Sequence, residues 1–296
     1  MKEKMKCKKC GLLIDSDSKT CPYCGYDQSK EDEPIKTQEP IKQPEPLKMS
    51  RETTFILGSS AILGSLKFHL LLFFLGFFGL NIIRFTSELM IMATAGQDFL
   101  LSSTGIMIDT SIGYVLTFGI SILVIFFMYK FDVFKKMLGT NKLFFLAGFG
   151  AAIVLIGINI GYSYLIGLTG FNSGNENQQT IELVVKDYPV LSILVLGIIG
   201  PIVEEITYRL GLYSVLRRYN KILALIVVSV VFGLIHFGIT TDMTANDFIN
   251  ELLNLPIYMI SGFILSFTYD KWGFAASSIA HILNNLLSII FIIAGI

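Results

Sequence analysis

Two adjacent carboxylates and an arginine interrupt an apolar stretch of the chain, in the run Glu204-Glu205-Ile-Thr-Tyr-Arg209. A charged side chain near the centre of a bilayer costs about 2.5–3.5 kcal/mol on insertion scales, so a cluster of three indicates a function. In a helix, Glu205 and Arg209 share a face and can pair. Glu204 then points about 100° away and stays available for another role. The alternative is an ion pair that only joins two helices.

Histidine and asparagine side chains follow in two later apolar stretches. His236 ends the run Phe232-Gly-Leu-Ile-His236, and His281 begins the run His281-Ile-Leu-Asn-Asn285. His281 and Asn285 share a helix face, and Asn284 lies close enough to compete for the same role. Polar groups in lipid need partners, and these groups can be partners of one another.

A glutamate, two histidines and an asparagine in a wet pocket suit hydrolysis of a peptide bond without a serine or cysteine nucleophile. The carboxylate can deprotonate water, a histidine can orient that water, and N–H groups can stabilise an oxyanion. The motifs Gly-x-Ser-x-Gly and His-Glu-x-x-His do not occur in the sequence. The sequence therefore does not support a serine hydrolase or a zincin. All four cysteines precede residue 25, which excludes an intramembrane cysteine nucleophile.

Three short motifs together resemble those of the CPBP family, the CAAX-protease and bacteriocin-processing intramembrane proteases. In chain order they are Glu204-Glu205-x-x-x-Arg209, Phe232-x-x-x-His236 and His281-x-x-x-Asn285. The resemblance covers about residues 185–296. It implies a glutamate-dependent endopeptidase in an all-helical membrane fold.

The resemblance also implies a role for each motif position. Glu204 would be the general base, and His236 would hold the water with it. His281 and Asn285 would form the oxyanion site. The supporting pair would be Glu205 and Arg209.

Two other functions stay open at this point. Glutamate and histidine are also zinc ligands, so a zinc-dependent protease could use the same residues, although we expect no metal at the catalytic site. A membrane scaffold or a bacteriocin-immunity protein could bind a partner without cutting it. A transporter would need internal repeats, which the sequence does not show.

The composition indicates a membrane protein. The chain has 296 residues, of which 53% are apolar and 16% charged, and its mean hydropathy is +0.64. These values are too apolar for a soluble enzyme of this size. Because the formal net charge is zero, no basic field suggests nucleic acid as a partner. The expected partners are membrane lipid and a membrane-associated or lipidated peptide or protein substrate.

The four cysteines form two similar pairs near the N-terminus, Cys7-Lys-Lys-Cys10-Gly and Cys21-Pro-Tyr-Cys24-Gly. Two such knuckles suit one tetrahedral zinc, and four thiolates leave no position open for catalysis. We therefore predict a structural zinc ribbon over residues 1–25, similar to those at the start of many membrane proteins. Two disulfides or a redox pair are the alternatives.

A proline-rich tether is predicted over residues 26–52. It repeats Glu-Pro-Ile-Lys or Glu-Pro-Leu-Lys every six residues, and proline at this density favours an extended spacer. Lysine and cysteine occupy the place of an apolar signal-peptide core, so none is expected.

The remaining chain is predicted to be a bundle of about seven membrane spans. N-terminal helices would cover 53–184, and a catalytic core would cover 185–296. Alternating basic and acidic loops predict a cell-membrane, multi-pass protein with a cytoplasmic N-terminus. His69 is predicted to be interfacial, without a role. The predicted spans are 68–88, 108–129, 143–167, 189–215, 222–238, 248–269 and 274–294.

Proline inside the span that carries the carboxylates predicts an opening of the helix. Pro201 lacks an N–H and should leave the Gly197 carbonyl without its helical partner. With Gly197 and Gly200 nearby, the backbone could then admit water to Glu204.

Overall fold

The computed structural model describes residues 4–9, 12–22, 25–29, 65–138, 142–171, 174–240 and 243–295. The chain divides into two compact units, Met1–Ser50 and Arg51–Ile296. The predicted tether, 26–52, lies almost wholly outside the described residues, and so does the start of the predicted N-terminal helices, 53–64. The division of the membrane unit near residue 185 stays a prediction.

The N-terminal unit contains one antiparallel pair of strands, β1 (Lys4–Lys6) and β2 (Leu13–Asp15). Cys7 and Cys21 are buried and pack in one cluster with Ile14. Cys10 and Cys24, the other two predicted zinc ligands, lie outside the described residues.

Within the described ranges, all regular secondary structure of the membrane unit is helical. The helices are α1 (Leu66–Ala95), α2 (Gln97–Leu100), α3 (Ser103–Leu138), α4 (Lys142–Gly167), α5 (Glu176–Asp187), α6 (Pro189–Leu216), α7 (Lys221–Leu234), α8 (Ala245–Trp272) and α9 (Phe274–Ala294). Helix α1 contains one π-helical turn, at Leu75–Gly79, and α6 contains two, at Val195–Ile199 and Glu205–Tyr213.

Six of the helices in the described part of the chain are long and apolar enough to cross a membrane: α1, α3, α4, α6, α8 and α9. A mostly helical, multi-pass membrane protein is thus confirmed, but the fifth of the seven predicted spans, 222–238, is wrong as a full span. Its helix α7 has 14 residues. At 1.5 Å per residue this is about 21 Å, short of the roughly 30 Å hydrocarbon core.

The membrane unit exposes many large apolar side chains and buries many polar ones. Phe127, Leu146 and Ile153 are exposed, whereas Thr117 and Ser266 are completely buried. Lipid can cover an exposed apolar surface, so this inverted pattern fits a protein that has lipid as its solvent.

Helix α6 runs through the middle of the bundle and changes its hydrogen-bond register twice. In the first π turn, the Gly200 N–H bonds to the Val195 carbonyl, five residues back. The next donor in that register would be Pro201, which has no N–H. The carbonyl left without a helical partner is therefore that of Leu196, and the prediction of Gly197 is wrong by one residue.

Helices α1 and α6 approach each other closely. A Cβ atom on Gly76 would lie 1.7 Å from Thr207 Oγ1, so only glycine fits there. A second close approach, where a Cβ atom on Gly211 would lie 2.9 Å from Phe73 N, is next to His69, which was predicted to be interfacial. The His69 side chain is fully buried in this contact, and its Nδ1 lies 2.5 Å from the Leu210 carbonyl oxygen.

The stretch between the predicted spans 143–167 and 189–215 contains the helix α5. Asn175 caps this helix by accepting a hydrogen bond from the Gln178 N–H at 3.1 Å. Hydropathy alone does not predict helix α5, because a polar helix and a polar loop have the same low hydropathy. Helix α8 begins after a capping box formed by Thr244 and Asp247.

Candidate active site

A cavity of about 810 Å³ opens among the helices of the membrane unit. This volume lies in the usual range for small-ligand sites, about 300–1,000 Å³. The four residues predicted to be catalytic all line it: Glu204, His236, His281 and Asn285. Apolar side chains such as Ile156 and Ile160 make up much of the remaining wall.

Glu205 lies on the side of α6 that faces the bundle interior. Its carboxylate is 3.1 Å from Arg209 Nη1, and both side chains are completely buried. It also accepts a hydrogen bond from the Ser277 hydroxyl of α9. The charge of Glu205 is therefore compensated within the protein.

Arg209 is held by more than its carboxylate partner. Its Nη2 donates to the Gly262 carbonyl at 3.4 Å, and its guanidinium lies 4.5 Å from the centre of the Phe232 ring. Among the described residues, Nε and Nη1 have no hydrogen-bond partner. The contact with Glu205 is therefore a charge pair rather than an aligned hydrogen bond.

Glu204 lies at the cavity wall, with 13% of its side chain exposed. Its Oε1 accepts a hydrogen bond from the Tyr114 hydroxyl of α3 at 3.1 Å. Its Oε2 lies 3.7 Å from His281 Nε2. That separation is too long for a direct hydrogen bond, but one water molecule could contact both atoms.

His281 lies between the two carboxylates. Its Nδ1 is 3.0 Å from Glu205 Oε1, while its Nε2 is directed toward Glu204. An ionised carboxylate can only accept hydrogen bonds, so the Nδ1 atom carries the proton in this contact. The sequence placed His281 in the oxyanion site, and the structure also places it beside the predicted base.

His236 lies just past the end of α7 rather than within a span. Its Nδ1 is 2.7 Å from the Phe232 carbonyl oxygen, and its ring stacks on Tyr258 at 4.5 Å between centroids. Because a carbonyl only accepts, Nδ1 is protonated and Nε2 is the acceptor of the neutral ring. No hydrogen bond joins His236 to Glu204 among the described residues.

Asn285 supplies the hydrogen bond that proline removes from α6. Its Nδ2 donates to the Leu196 carbonyl at 3.2 Å. Asn284 donates to Asn285 Oδ1 at 3.4 Å and accepts from Asn159 of α4 at 2.9 Å. A chain of amides thus crosses the cavity wall, and Asn285 keeps one further N–H for a ligand.

Two aromatic residues at this site were not predicted. Tyr114 bonds Glu204 and Tyr258 stacks on His236, yet both lie far from the motifs along the chain. The only sequence signal was a hydroxyl-bearing aromatic inside a span, which needs a partner there.

Within the described residues, no group of three or more His, Cys, Asp and Glu side chains is arranged to hold a metal ion. Cys10 and Cys24 lie outside that part of the chain, so the zinc of the head stays a prediction.

Part of the chain is similar to a known family of membrane proteases. Residues 186–287 match the family described as "Type II CAAX prenyl endopeptidase Rce1-like". The matched segment includes every residue predicted for the site. This similarity supports a membrane peptidase.

Two curated proteins are similar over longer segments. The "Putative membrane peptidase YdiL" of Bacillus subtilis (strain 168) is 30% identical over 138 residues, which are 46% of this chain and 50% of that protein. An uncharacterized protein of Mycoplasma capricolum subsp. capricolum (strain California kid) is 29% identical over 178 residues, 56% of this chain and 49% of that protein. The chain thus spans about half the length of the curated relatives it matches. No solved structure matches it.

Proposed function

We propose that this protein is an intramembrane endopeptidase in which Glu204 activates a water molecule. The observation that carries the proposal is the position of Glu204 at the cavity wall, beside a neighbour whose charge is already compensated. Because Arg209 is paired with Glu205, the Glu204 carboxylate is available to take a proton from water. The similarity of residues 186–287 to a family of membrane endopeptidases supports the same activity.

The attacking water is held by two acceptors. One of its hydrogens points to Glu204 and the other to His236 Nε2, which is an acceptor because Nδ1 donates to Phe232. A lone pair of the water then faces the scissile carbonyl carbon. Glu204 takes the proton as the C–O bond forms and passes it to the leaving nitrogen as the C–N bond breaks.

The oxyanion of the tetrahedral intermediate is stabilised from α9. Asn285 has one N–H beyond the one bonded to Leu196, and that group is a suitable donor. His281 can also donate from Nε2, but only when its ring is doubly protonated, because Nδ1 already donates to Glu205. Glu205 would stabilise such a cation.

The substrate class that fits is a membrane-associated or lipidated peptide or protein. The cavity is built among helices that have lipid as their solvent, and its wall combines apolar side chains with a chain of amides. Side-chain amides both donate and accept, as the backbone of an extended peptide does. A substrate anchored in the membrane would reach the cavity at high local concentration.

Replacement of Glu204 by glutamine tests the proposal. The amide keeps the shape of the side chain and the acceptor for Tyr114, but it cannot take a proton. We expect turnover to fall by about 10²–10⁴-fold, the usual contribution of general base catalysis. The measurement is comparative peptidomics of membranes from cells that carry the wild type or the variant.

Glu182→Gln provides the matched control. Glu182 lines the same cavity on α5 and is bonded to Gln178 at 3.3 Å. The change is chemically identical and should leave the peptide profile unaltered. If profiles of the wild type and Glu204→Gln were the same while both proteins accumulated normally, the proposal that Glu204 activates the water would be overturned.

We also propose that the N-terminal unit binds one structural zinc ion. The Cys7 N–H donates to the Leu12 carbonyl and the Cys21 N–H donates to the Tyr26 carbonyl, so the two turns have the same hydrogen-bond offset. Gln28 Nε2 lies 3.3 Å from Cys7 Sγ, a contact suited to a thiolate. Elemental analysis should find one zinc per chain in the wild type and none after Cys7→Ser or Cys24→Ser.

A further inference from the structure

His236 lies in the last, loosened turn after α7, where its N–H bonds to the Gly233 carbonyl three residues back and regular helical bonding ends with Phe237. The proposed chemistry needs its imidazole at a fixed position. Helix α7 ends at Leu234, and α8 begins only at Ala245. A short segment of this kind would let the imidazole drift unless other groups held it. Those groups are contributed by α5 and α8.

The first group is the cap of α5. Asn175 is buried, and its Nδ2 donates to the His236 carbonyl at 2.8 Å. Its Oδ1 accepts from the Tyr258 hydroxyl at 3.0 Å, and the Tyr258 ring stacks on the imidazole of His236. One asparagine thus fixes both the backbone of His236 and the ring on which its side chain lies.

The second group is a buried carboxylate on α8. Glu251 is 3% exposed, and the described residues form no salt bridge with it. Its Oε1 accepts from the Glu176 N–H at 2.7 Å, and its Oε2 accepts from the Gly238 N–H at 2.9 Å. Oε2 also lies 3.3 Å from Asn175 Nδ2. Three N–H groups and the N-terminus of α5 stabilise its negative charge.

The two sides of this contact leave no spare room. A Cβ atom on Gly238 would lie 2.6 Å from the Glu176 Cβ atom. Glycine therefore allows the segment that follows His236 to lie directly against the start of α5. The carboxylate of Glu251 joins these two backbones.

We propose that Glu251 is a positioning residue for His236, acting through Asn175 and the Gly238 N–H. The proposal rests on the proposed function for its effect on catalysis. The physical reason is that a carboxylate can accept from all three donors at once. A glutamine would place an amide NH₂ against at least one of these N–H groups and break the contact.

The tautomer of His236 reports directly on this contact. The chain has only three histidines, so the full-length protein labelled with ¹⁵N-histidine gives few ring signals, and His236→Gln assigns one set. The wild type should show His236 protonated at Nδ1, bonded to Phe232. Glu251→Gln should release the segment and give a mixture that contains the Nε2–H form.

Activity gives a second measurement with a matched control. Glu251→Gln should lower kcat by about 10²-fold, the loss expected for a misplacement of about 1 Å, while KM stays unchanged. Glu176→Gln removes an exposed carboxylate beside the same contact but keeps the backbone N–H. It should change neither kcat nor the His236 signals.

A further variant tests the proposal if Glu251→Gln does not fold. Asn175→Ser keeps a good helix cap but is too short to reach His236, and it should alter the tautomer in the same direction. If either folded variant left the His236 signals and kcat as in the wild type, the proposal would be overturned. The tautomer test needs no proteolysis, so it is decided separately from the proposed function.

Discussion

Glu204 and Glu205 are neighbours in the chain, but their carboxylates lie in two different regions of the membrane unit. Glu205 points into the bundle interior, where it meets Arg209, Ser277 and His281 and is completely buried. Glu204 points to the cavity and is 13% exposed. One hydroxyl, from Tyr114, is bonded to it.

The difference shows how one helix can carry a structural charge and a chemical charge side by side. A buried charge is tolerated when a partner compensates it, and that requirement occupies Glu205 fully. Water in the cavity can solvate Glu204, so its carboxylate keeps lone pairs for a substrate or a water molecule. The rotation of about 100° between successive helix positions separates the two roles.

The largest expected effect on stability comes from a change at Glu205, in the bundle interior. Glu205→Gln leaves Arg209 buried without a compensating charge, and breaking a buried pair in this way costs about 3–5 kcal/mol. We expect a strongly reduced amount of folded protein in membranes, measured by quantitative immunoblotting and by thermal unfolding in detergent.

Glu204→Gln is the natural control, because the same chemical change is made one residue away. Its protein level should match the wild type, since the cavity solvates this position. Equal stability of the two variants would contradict the division between a structural and a chemical carboxylate.

A smaller effect, on kcat, is expected from a change beside Glu204 at the cavity. Tyr114→Phe removes the hydrogen bond to Glu204 and should lower kcat by about 10- to 100-fold, because a bond to a charged group contributes about 1.5–3 kcal/mol. Tyr162→Phe is the control, since Tyr162 lines the same cavity but donates to the Leu253 carbonyl instead. A rate for Tyr114→Phe equal to that of the control would exclude this hydrogen bond from catalysis.

Local periodicity was enough to predict the relation between neighbouring residues of α6. Glu205 and Arg209 are four apart, and in the structure their charged atoms are 3.1 Å apart. The same reasoning assigned the carbonyl that loses its partner at Pro201 to Gly197 instead of Leu196. It assumed an α-helical register where α6 has a π turn. Hydropathy likewise found the long helices but overestimated α7, since apolar composition alone does not show where a helix ends.

Contacts between distant parts of the chain could not be predicted. The sequence suggests an interfacial position for His69 because Lys67 is nearby, but the close packing of α1 against α6 buries it beside Leu210. Glu251 was not singled out, because its partners are mostly backbone N–H groups, which have no sequence signature. These features depend on how the helices pack rather than on any local pattern.

The smallest effect is expected when metal is removed from the membrane unit. In the proposed mechanism Glu204 and His236 activate water alone, so a chelator should leave the rate unchanged. A truncation that starts at Met49 is the suitable protein, because it has no cysteines. The compact membrane unit begins at Arg51, so the truncation retains all of it. Full-length protein treated in parallel should lose zinc from the head and keep its activity.

A failure of this prediction would change the roles assigned to Glu204 and Glu205. Loss of activity on chelation of the truncated protein, with recovery on adding one equivalent of Zn²⁺, would make Glu204, His236 and His281 metal ligands. His281 could then coordinate through Nε2, because Nδ1 donates to Glu205. Glu205 would no longer be a structural charge alone, since it would orient a ligand. Glu205→Gln would in that case weaken zinc binding as well as folding, which a zinc titration of the residual folded protein would detect.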